Sequence, residues 1–124
     1  MRLLLDTHVL LSLLFEDGRL SAPAHKTMER PDAQLIISVV SVWEIAIKRS
    51  IGKLQAPDNV IERIDEAGAR ILAITPQHAH ATGELPLHHR DPFDRLLIAQ
   101  AQLEGCAIVT GDLAFSAYDV PVVW

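Results

Sequence analysis

The sequence predicts an α/β fold, a three-layer α/β/α sandwich with a mostly parallel central sheet. Short apolar runs alternate along the chain with longer amphipathic segments, which is the order of strands and helices in such a sheet. Several of the apolar runs are continuous and rich in β-branched residues. This pattern is typical of strands that are covered by helices on both faces.

Four strands and a short fifth are predicted. The first, "RLLLD", ends at Asp6, and the second, "AQLIISV", spans 33–39. Two more are predicted at "ARILAIT", 69–75, and "CAIVTGD", 106–112, and the short fifth is "VPVVW", 120–124. Crossovers between parallel strands are expected to be right-handed.

The segments between the strands carry helix start and stop signals. "THVLLSLLFEDG" is expected to end at Gly18, and "SAPAHKTMER" to begin after an N-cap at Ser21. "SVWEIAIKRSIG" closes at Gly52, and "PDNVIERIDEAG" has an early Pro57 and a stop at Gly68.

Two further helices precede the fourth strand. "PQHAHATGEL" is predicted to form a short helix. "DPFDRLLIAQAQLEG" is predicted to form a long one, with Asp91 as N-cap, Pro92 in the first turn and Gly105 at the end.

Length and composition limit the classes of protein. A chain of 124 residues predicts a single domain, 1–124, and 49% hydrophobic residues exclude a disordered chain. No apolar run approaches the ~20 residues that cross a membrane, so no membrane association is expected. Asp6 and His8 interrupt the first apolar run, which argues against a signal peptide, and the single Cys106 excludes an internal disulfide. We expect a cytoplasmic protein.

The net charge of −5 argues against a protein that binds nucleic acid only through its phosphates. An enzyme whose carboxylates are neutralised by a metal ion remains compatible with this charge.

Four acidic residues are predicted to meet at one edge of the sheet, where parallel α/β proteins bind ligands. Asp6 ends the first strand, and Asp112 follows the fourth. Glu44 is expected in the first turn of the helix after the second strand, and Asp94 in the first turn of the helix before the fourth.

Each of these acids also has a purely structural explanation. Ser41 and Glu44 have the spacing of a capping box, and Glu44 precedes Lys48 by one helical turn. Asp94 suits the positive end of a helix, and Asp6 could cap the first helix. As a group, however, four neighbouring carboxylates repel one another unless a cation is present. Mg²⁺ and Mn²⁺ prefer oxygen ligands, so the group predicts a metal site.

Four motifs, "LLLDTH", "SVVSVWEIAIK", "RDPFDRLLIAQA" and "IVTGDLAF", resemble those of the PIN-domain ribonucleases in order and spacing. The closest resemblance is to the VapC-type toxins of bacterial toxin–antitoxin pairs, and it covers essentially the whole chain. One departure is Ser12, where relatives of this subgroup often carry an aromatic residue.

The resemblance implies a Mg²⁺- or Mn²⁺-dependent endoribonuclease that is inhibited by a small antitoxin protein. It assigns the acidic site to Asp6, Glu44, Asp94 and Asp112, the same four residues that the sheet-edge argument selects. The expected partners are an RNA substrate, the antitoxin and a second copy of the chain in a homodimer. Small hydroxyl residues and one arginine beside the acids are weaker candidates for substrate binding: Thr7, Ser41, Arg95 and Thr110.

The acidic site also needs cationic groups if it is to hold a polyanion. Candidate phosphate contacts on the chain are Lys48, Arg49, Lys53, Arg90 and Arg95. His88 and His89 are interpreted as loop surface, with His89 a possible substrate contact. The remaining candidates for local structure are His8, His78 and His80, and those for the core or an interface are Trp43, Ile45, Ile47, Leu96, Leu97 and Ile98.

Three alternatives compete with a ribonuclease. A phospho-receiver domain is also α/β and acidic, but it needs a lysine after a late strand, and no lysine follows Lys53. A catalytically silent PIN-like binding module is disfavoured because all four acids are present. A DNA-directed nuclease stays open, since metal–phosphate chemistry alone does not distinguish the sugar.

Overall fold

The computed structural model describes all residues of the chain, 1–124. Five strands form one sheet in the order β3-β2-β1-β4-β5, and every neighbouring pair is parallel. The strands are β1 (Arg2–Leu5), β2 (Gln34–Ser38), β3 (Arg70–Leu72), β4 (Ala107–Val109) and β5 (Val122–Val123). The predicted α/β fold is confirmed, and its sheet is parallel throughout.

The strand order places a topological switch point between β1 and β4. From β1 the chain continues outward through β2 to β3, whereas β4 and β5 extend the sheet on the other side of β1. Loops that leave neighbouring strands in opposite directions open a crevice beyond the carboxyl ends of those strands. The residues that follow Leu5 and Val109 therefore border this crevice.

Six helices and two short 3-10 turns connect the strands. The helices are α1 (Thr7–Phe15), α2 (Ala22–Met28), α3 (Val39–Ser50), α4 (Val60–Glu66), α5 (Pro76–Ala81) and α6 (Pro92–Glu104), and the 3-10 turns are Thr82–Glu84 and Leu113–Ala117. None of the helices combines the length and the apolar character that crossing a membrane requires.

Two hydrophobic cores cover the two faces of the sheet, which gives the three layers. Successive residues of a strand point to opposite faces. Leu3 and Leu5 accordingly join a core with α1, α2 and α4, while Leu4 joins the core formed with α6. Helix α3 contributes to both cores, through Val40 on one side and Ile45 on the other.

Several helix boundaries differ from the prediction, and two of the differences have a clear local cause. Helix α1 ends at Phe15 instead of Gly18, because Glu16 takes the left-handed conformation with φ 51° and its N–H donates to the Ser12 carbonyl. Helix α3 begins at Val39, because the Ser38 hydroxyl accepts a hydrogen bond from the Val40 N–H at 3.0 Å.

The earlier start of α3 corrects the interpretation of its first turn. Ser41 lies inside the helix and caps nothing, so the predicted capping box with Glu44 is wrong. Glu44 falls in the second turn instead of the first. Among the apolar residues predicted for the core or an interface, Leu97 and Ile98 are buried, whereas Trp43 is 55% exposed.

The boundaries of α6 are as predicted. The Asp91 carboxylate accepts from the Phe93 and Asp94 N–H groups at 2.9 and 3.1 Å, and Pro92 occupies the first turn. At the other end Gly105 adopts φ 66°, and its N–H donates to the Ala101 carbonyl.

Replacing Gly105 by alanine is expected to lower the free energy of unfolding by about 1 kcal/mol, because a Cβ disfavours the left-handed backbone. Gly83→Ala is the matched control, since a Cβ there also has open space and the backbone has no positive φ. Urea unfolding of both variants measures the difference. An equal effect of the two substitutions would contradict the capping role of Gly105.

Candidate active site

The Asp6 carboxylate lies at the carboxyl end of β1 and is 3% exposed. One oxygen, Oδ1, accepts from the Val9 N–H at 2.7 Å and so caps α1, as predicted. The other, Oδ2, accepts a hydrogen bond from the Thr110 hydroxyl. Burial raises the pKa of Asp6 above its usual value, and these two hydrogen bonds oppose the rise.

Thr110 links Asp6 to Asp112 across the switch point. Its hydroxyl donates to Asp6 and accepts from the Asp112 N–H at 3.0 Å. The Asp112 Oδ1 accepts from the Ala114 N–H at 2.9 Å and caps the following 3-10 turn. Its other oxygen, Oδ2, faces His89, and the side chain is about half exposed.

Glu44 reaches the same region from α3 and is 4% exposed. The Thr7 hydroxyl donates to its Oε1 at 2.7 Å, and the Lys48 ammonium lies 2.6 Å from its Oε2. The Ser41 hydroxyl lies 3.1 Å from that of Thr7. The pKa of Lys48 is raised, mainly by the hydrogen bond to Glu44. Glu44 is therefore held from two sides.

Asp94 projects from the first turn of α6, with its side chain 21% exposed. Burial, together with the negative charges of Asp91, Glu44 and Asp6, raises the pKa of Asp94 to about 6, and His89 acts in the opposite direction. Asp6 is in turn influenced by Asp112. The four predicted acids thus lie close enough to repel one another.

His89 lies between Asp94 and Asp112, with its side chain only 19% exposed. Its Nε2 is 2.9 Å from Asp94 Oδ2 and 3.7 Å from Asp112 Oδ2. The Asp91 N–H donates to its Nδ1 at 3.2 Å, so the proton of the neutral ring is on Nε2. The contact with Asp94 is close but poorly aligned, which leaves Nε2 buried without a satisfied hydrogen bond.

The sequence interpretation names His89 as loop surface and a candidate substrate contact, and it does not predict the position of the ring between Asp94 and Asp112. The available signal was local. A histidine two positions before a helix N-cap can accept the N–H of that N-cap residue, as His89 does from Asp91, and this turns the ring toward the first turn of the helix.

Arg95 has contacts different from those expected of a phosphate ligand. Its guanidinium donates to four carbonyls of the loop before α6 and approaches the Tyr118 hydroxyl at 3.4 Å. The distances to these carbonyls are 2.6 Å for Thr82, 3.2 Å for Leu85, 2.9 Å for Pro86 and 3.2 Å for His89. These bonds fix the backbone that carries His89.

The three hydroxyl residues predicted to contact substrate are buried, with exposed fractions of at most 5%. Their hydroxyls are directed at the acids or at each other: Thr7, Ser41 and Thr110. Two of the predicted phosphate contacts are already paired, Lys48 with Glu44 and Arg49 with Asp58.

The donor set fits a hard divalent cation. Asp94 and Asp112 both place a carboxylate oxygen beside His89, and Thr110 links Asp112 to Asp6. Oxygen ligands of this kind suit Mg²⁺ and Mn²⁺. Single donor atoms of His89, Asp94 and Asp112 lie within 4.8 Å of one another. Because His89 Nε2 carries a proton, this side chain suits a donor to the carboxylates better than a ligand. The repulsion that Asp94 experiences from the neighbouring acids indicates that a positive charge would stabilise this group of carboxylates.

The chain thus has a parallel α/β sheet with acidic side chains beyond the carboxyl ends of its central strands, the edge at which proteins of this fold class bind their ligands. The PIN domain family model matches residues 3–121. The chain therefore belongs to the PIN domain family. This assignment excludes the phospho-receiver alternative.

Solved structures show the same fold. The chain is similar to VapBC2 from Rickettsia felis bound to a DNA fragment from its promoter, with 16% identity, a TM-score of 0.70, and 98% of this chain and 97% of that chain covered. A toxin–antitoxin complex from Klebsiella pneumoniae has 22% identity, a TM-score of 0.67, and coverage of 98% and 95%. VapBC-1 from nontypeable Haemophilus influenzae has 18% identity, a TM-score of 0.69, and coverage of 98% and 96%. No curated protein matches the chain significantly in sequence.

Asp94→Asn is expected to raise the melting temperature of the metal-free protein by several degrees at about pH 7.5, because it removes a repelled, half-buried charge. The pKa of Asp94 is about 6 in the folded state and ordinarily 3.8, so wild-type stability falls as pH rises through that window. The gain should shrink toward zero at about pH 4. Thermal unfolding in chelator measures it.

The exposed Asp65 on α4 provides the control, since Asp65→Asn removes one negative charge far from the crevice. Equal melting temperatures of wild type and Asp94→Asn at neutral pH would contradict the repulsion at this site.

Arg95→Met is expected to lower the free energy of unfolding by about 2–3 kcal/mol, because several carbonyls lose a charged donor. The exposed Arg90, which makes no hydrogen bond or ion pair, provides the matched control Arg90→Met. Denaturant unfolding measures the two variants. A loss as small as that of the control would refute the positioning role of Arg95.

Proposed function

We propose that this chain is a metal-dependent endoribonuclease and the toxin of a type II toxin–antitoxin pair. The observation that supports the proposal is the arrangement of the four acids. Thr110 joins Asp6 to Asp112, and His89 lies between Asp112 and Asp94. Thr7, the neighbour of Asp6 in the chain, donates to Glu44. Membership of the PIN domain family and the likeness of the fold to solved toxin–antitoxin complexes also support the proposal.

Asp6, Asp94 and Asp112 would hold the cation, Mg²⁺ or Mn²⁺. When bound, the cation supplies an activated water and neutralises charge on the scissile phosphate. The Val9 N–H and the Thr110 hydroxyl orient Asp6, and the His89 Nε2 lies beside the carboxylates of Asp94 and Asp112.

Glu44 is proposed either to bind the same ion or to orient the attacking water. Thr7 and Lys48 hold its carboxylate in place, and each oxygen retains a lone pair for a further contact. The expected products carry a 5′-phosphate and a 3′-hydroxyl.

The inhibitory partner is proposed to be a small antitoxin protein, and the toxin itself is proposed to form a homodimer. Toxin–antitoxin complexes recur among the structures of the same fold, including VapBC from Salmonella typhimurium bound to DNA. Light scattering of the purified chain, alone and with the product of a neighbouring short reading frame, tests both assemblies.

Incubation of the purified, antitoxin-free protein with total RNA tests the activity. Cleavage is expected with Mg²⁺ or Mn²⁺ and none with chelator, and mapping of the cut ends identifies the substrate and the product chemistry. A parallel incubation with single-stranded DNA shows whether the protein cleaves RNA, DNA or both. Cleavage that is unaffected by chelator would refute the metal-dependent mechanism.

Asp6→Asn is expected to reduce cleavage by more than about a hundredfold. Loss of a hydrogen-bond partner of a metal ligand already costs up to about a hundredfold, and Asp6 is proposed to be a ligand itself. The fold should persist, because an amide oxygen still accepts from the Val9 N–H. Initial rates with Mg²⁺ measure the loss, and Asp65→Asn, which should cleave at the wild-type rate, is the control. Wild-type cleavage by Asp6→Asn would disprove the assignment.

A further inference from the structure

A second feature of the crevice is a groove of about 830 Å³ that begins at Asp6 and Asp112 and runs outward beside α1. Trp124 forms one of its walls, and Phe15 and Arg19 also line it. Fewer than half of the lining residues are hydrophobic. The groove contains both aromatic rings and charged side chains, so it suits a ligand with both a flat ring and a charge.

The position of Trp124 is fixed by the sheet. Strand β5 pairs with β4, and the Thr110 N–H donates to the Val123 carbonyl at 3.2 Å. The indole of Trp124 consequently lies against Gly111, the residue between Thr110 and Asp112. A Cβ at Gly111 would come within 2.8 Å of the indole Cε2 and Cζ2, so only glycine allows this close approach.

Although one side of the ring rests on Gly111, Trp124 is 45% exposed. A large aromatic ring that packs on the backbone with one face and is left about half uncovered is suited to stacking with another flat group. Base–aromatic stacking is largely independent of sequence, because every nucleobase has a π face. The Arg19 guanidinium is 83% exposed in the same groove, paired only loosely with Asp17 at 3.6 Å, and offers a cation to a phosphate.

We propose that Trp124 is a base-stacking subsite for RNA, in which the base of a nucleotide next to the scissile phosphate lies on the indole and Arg19 contacts the neighbouring phosphate. The inference rests on the proposed nuclease function and adds to it the position of the substrate. Continuity of the groove with Asp6 and Asp112 places the bound nucleotide beside the bond to be cut.

The kinetic test compares Trp124→Ala and Trp124→Phe with the wild type on an oligoribonucleotide that contains one cleavage site. Trp124→Ala is expected to raise KM about tenfold or more with kcat within about twofold, because stacking is lost equally from the bound substrate and the transition state. Trp124→Phe should retain most of the affinity. A fall in kcat alone, or no change in KM, would overturn the proposal.

Oligoribonucleotides that lack a single base show whether Trp124 contacts the base at that position. An oligoribonucleotide with an abasic residue beside the cut should bind the wild type as weakly as the intact RNA binds Trp124→Ala. The variant should not distinguish the two RNAs, since the base and the ring form one interaction. If Trp124→Ala weakened the binding of abasic and intact RNA equally, the role of Trp124 would be structural and the proposal would fail.

A binding measurement separates this inference from the nuclease function. In Trp43→Phe, Trp124 is the sole tryptophan, and an intact oligoribonucleotide added in chelator should quench its fluorescence, whereas the abasic one should not. In the Trp124→Phe variant, where Trp43 is the only tryptophan, the oligoribonucleotide should not quench the fluorescence. Absence of quenching, or equal quenching of both variants, refutes the subsite whether or not the protein cleaves RNA. Quenching without any metal-dependent cleavage supports the subsite and refutes the nuclease.

Discussion

Burial of the Asp6 carboxylate at the end of the central strand is the constraint on which the rest of the site depends. A carboxylate with 3% exposure loses most of its hydration, and the protein replaces only part of it, through the Val9 N–H and the Thr110 hydroxyl. The remaining imbalance raises the pKa of Asp6. The backbone geometry of the switch point thus creates a position that a cation stabilises.

The charged groups around Asp6 do not compensate for the hydration that its carboxylate loses. Glu44 is neutralised locally by Lys48, which keeps that carboxylate ordered, but Asp6 and Asp94 have no such lysine or arginine. His89 supplies only a poorly aligned N–H between Asp94 and Asp112. Interactions that would fully satisfy the acids would also compete with a metal ion, so incomplete satisfaction is consistent with a binding site.

Hydrogen bonds from the scaffold hold the loop before α6, which carries His89. Arg95 binds the carbonyls of this loop, and the Tyr118 hydroxyl accepts from the His89 N–H at 2.8 Å. A guanidinium directed inward cannot also bind a phosphate, so the cationic contacts to a polyanion have to come from elsewhere. Arg19, on the far side of the crevice, remains available for that role.

Much of the fold followed from the sequence, because the signals were local. Continuous apolar runs define the strands, Asp91 and Gly105 delimit α6, and the order of elements brings Asp6 and Asp112 to one edge. Tertiary structure decided the roles of side chains whose partners are distant in sequence. Thr110 meets Asp6, Thr7 meets Glu44, and Trp124 meets Gly111 only after the parallel strands have paired. Hydrogen bonds and close packing between such residues depend on the register of the strands, which no local pattern specifies.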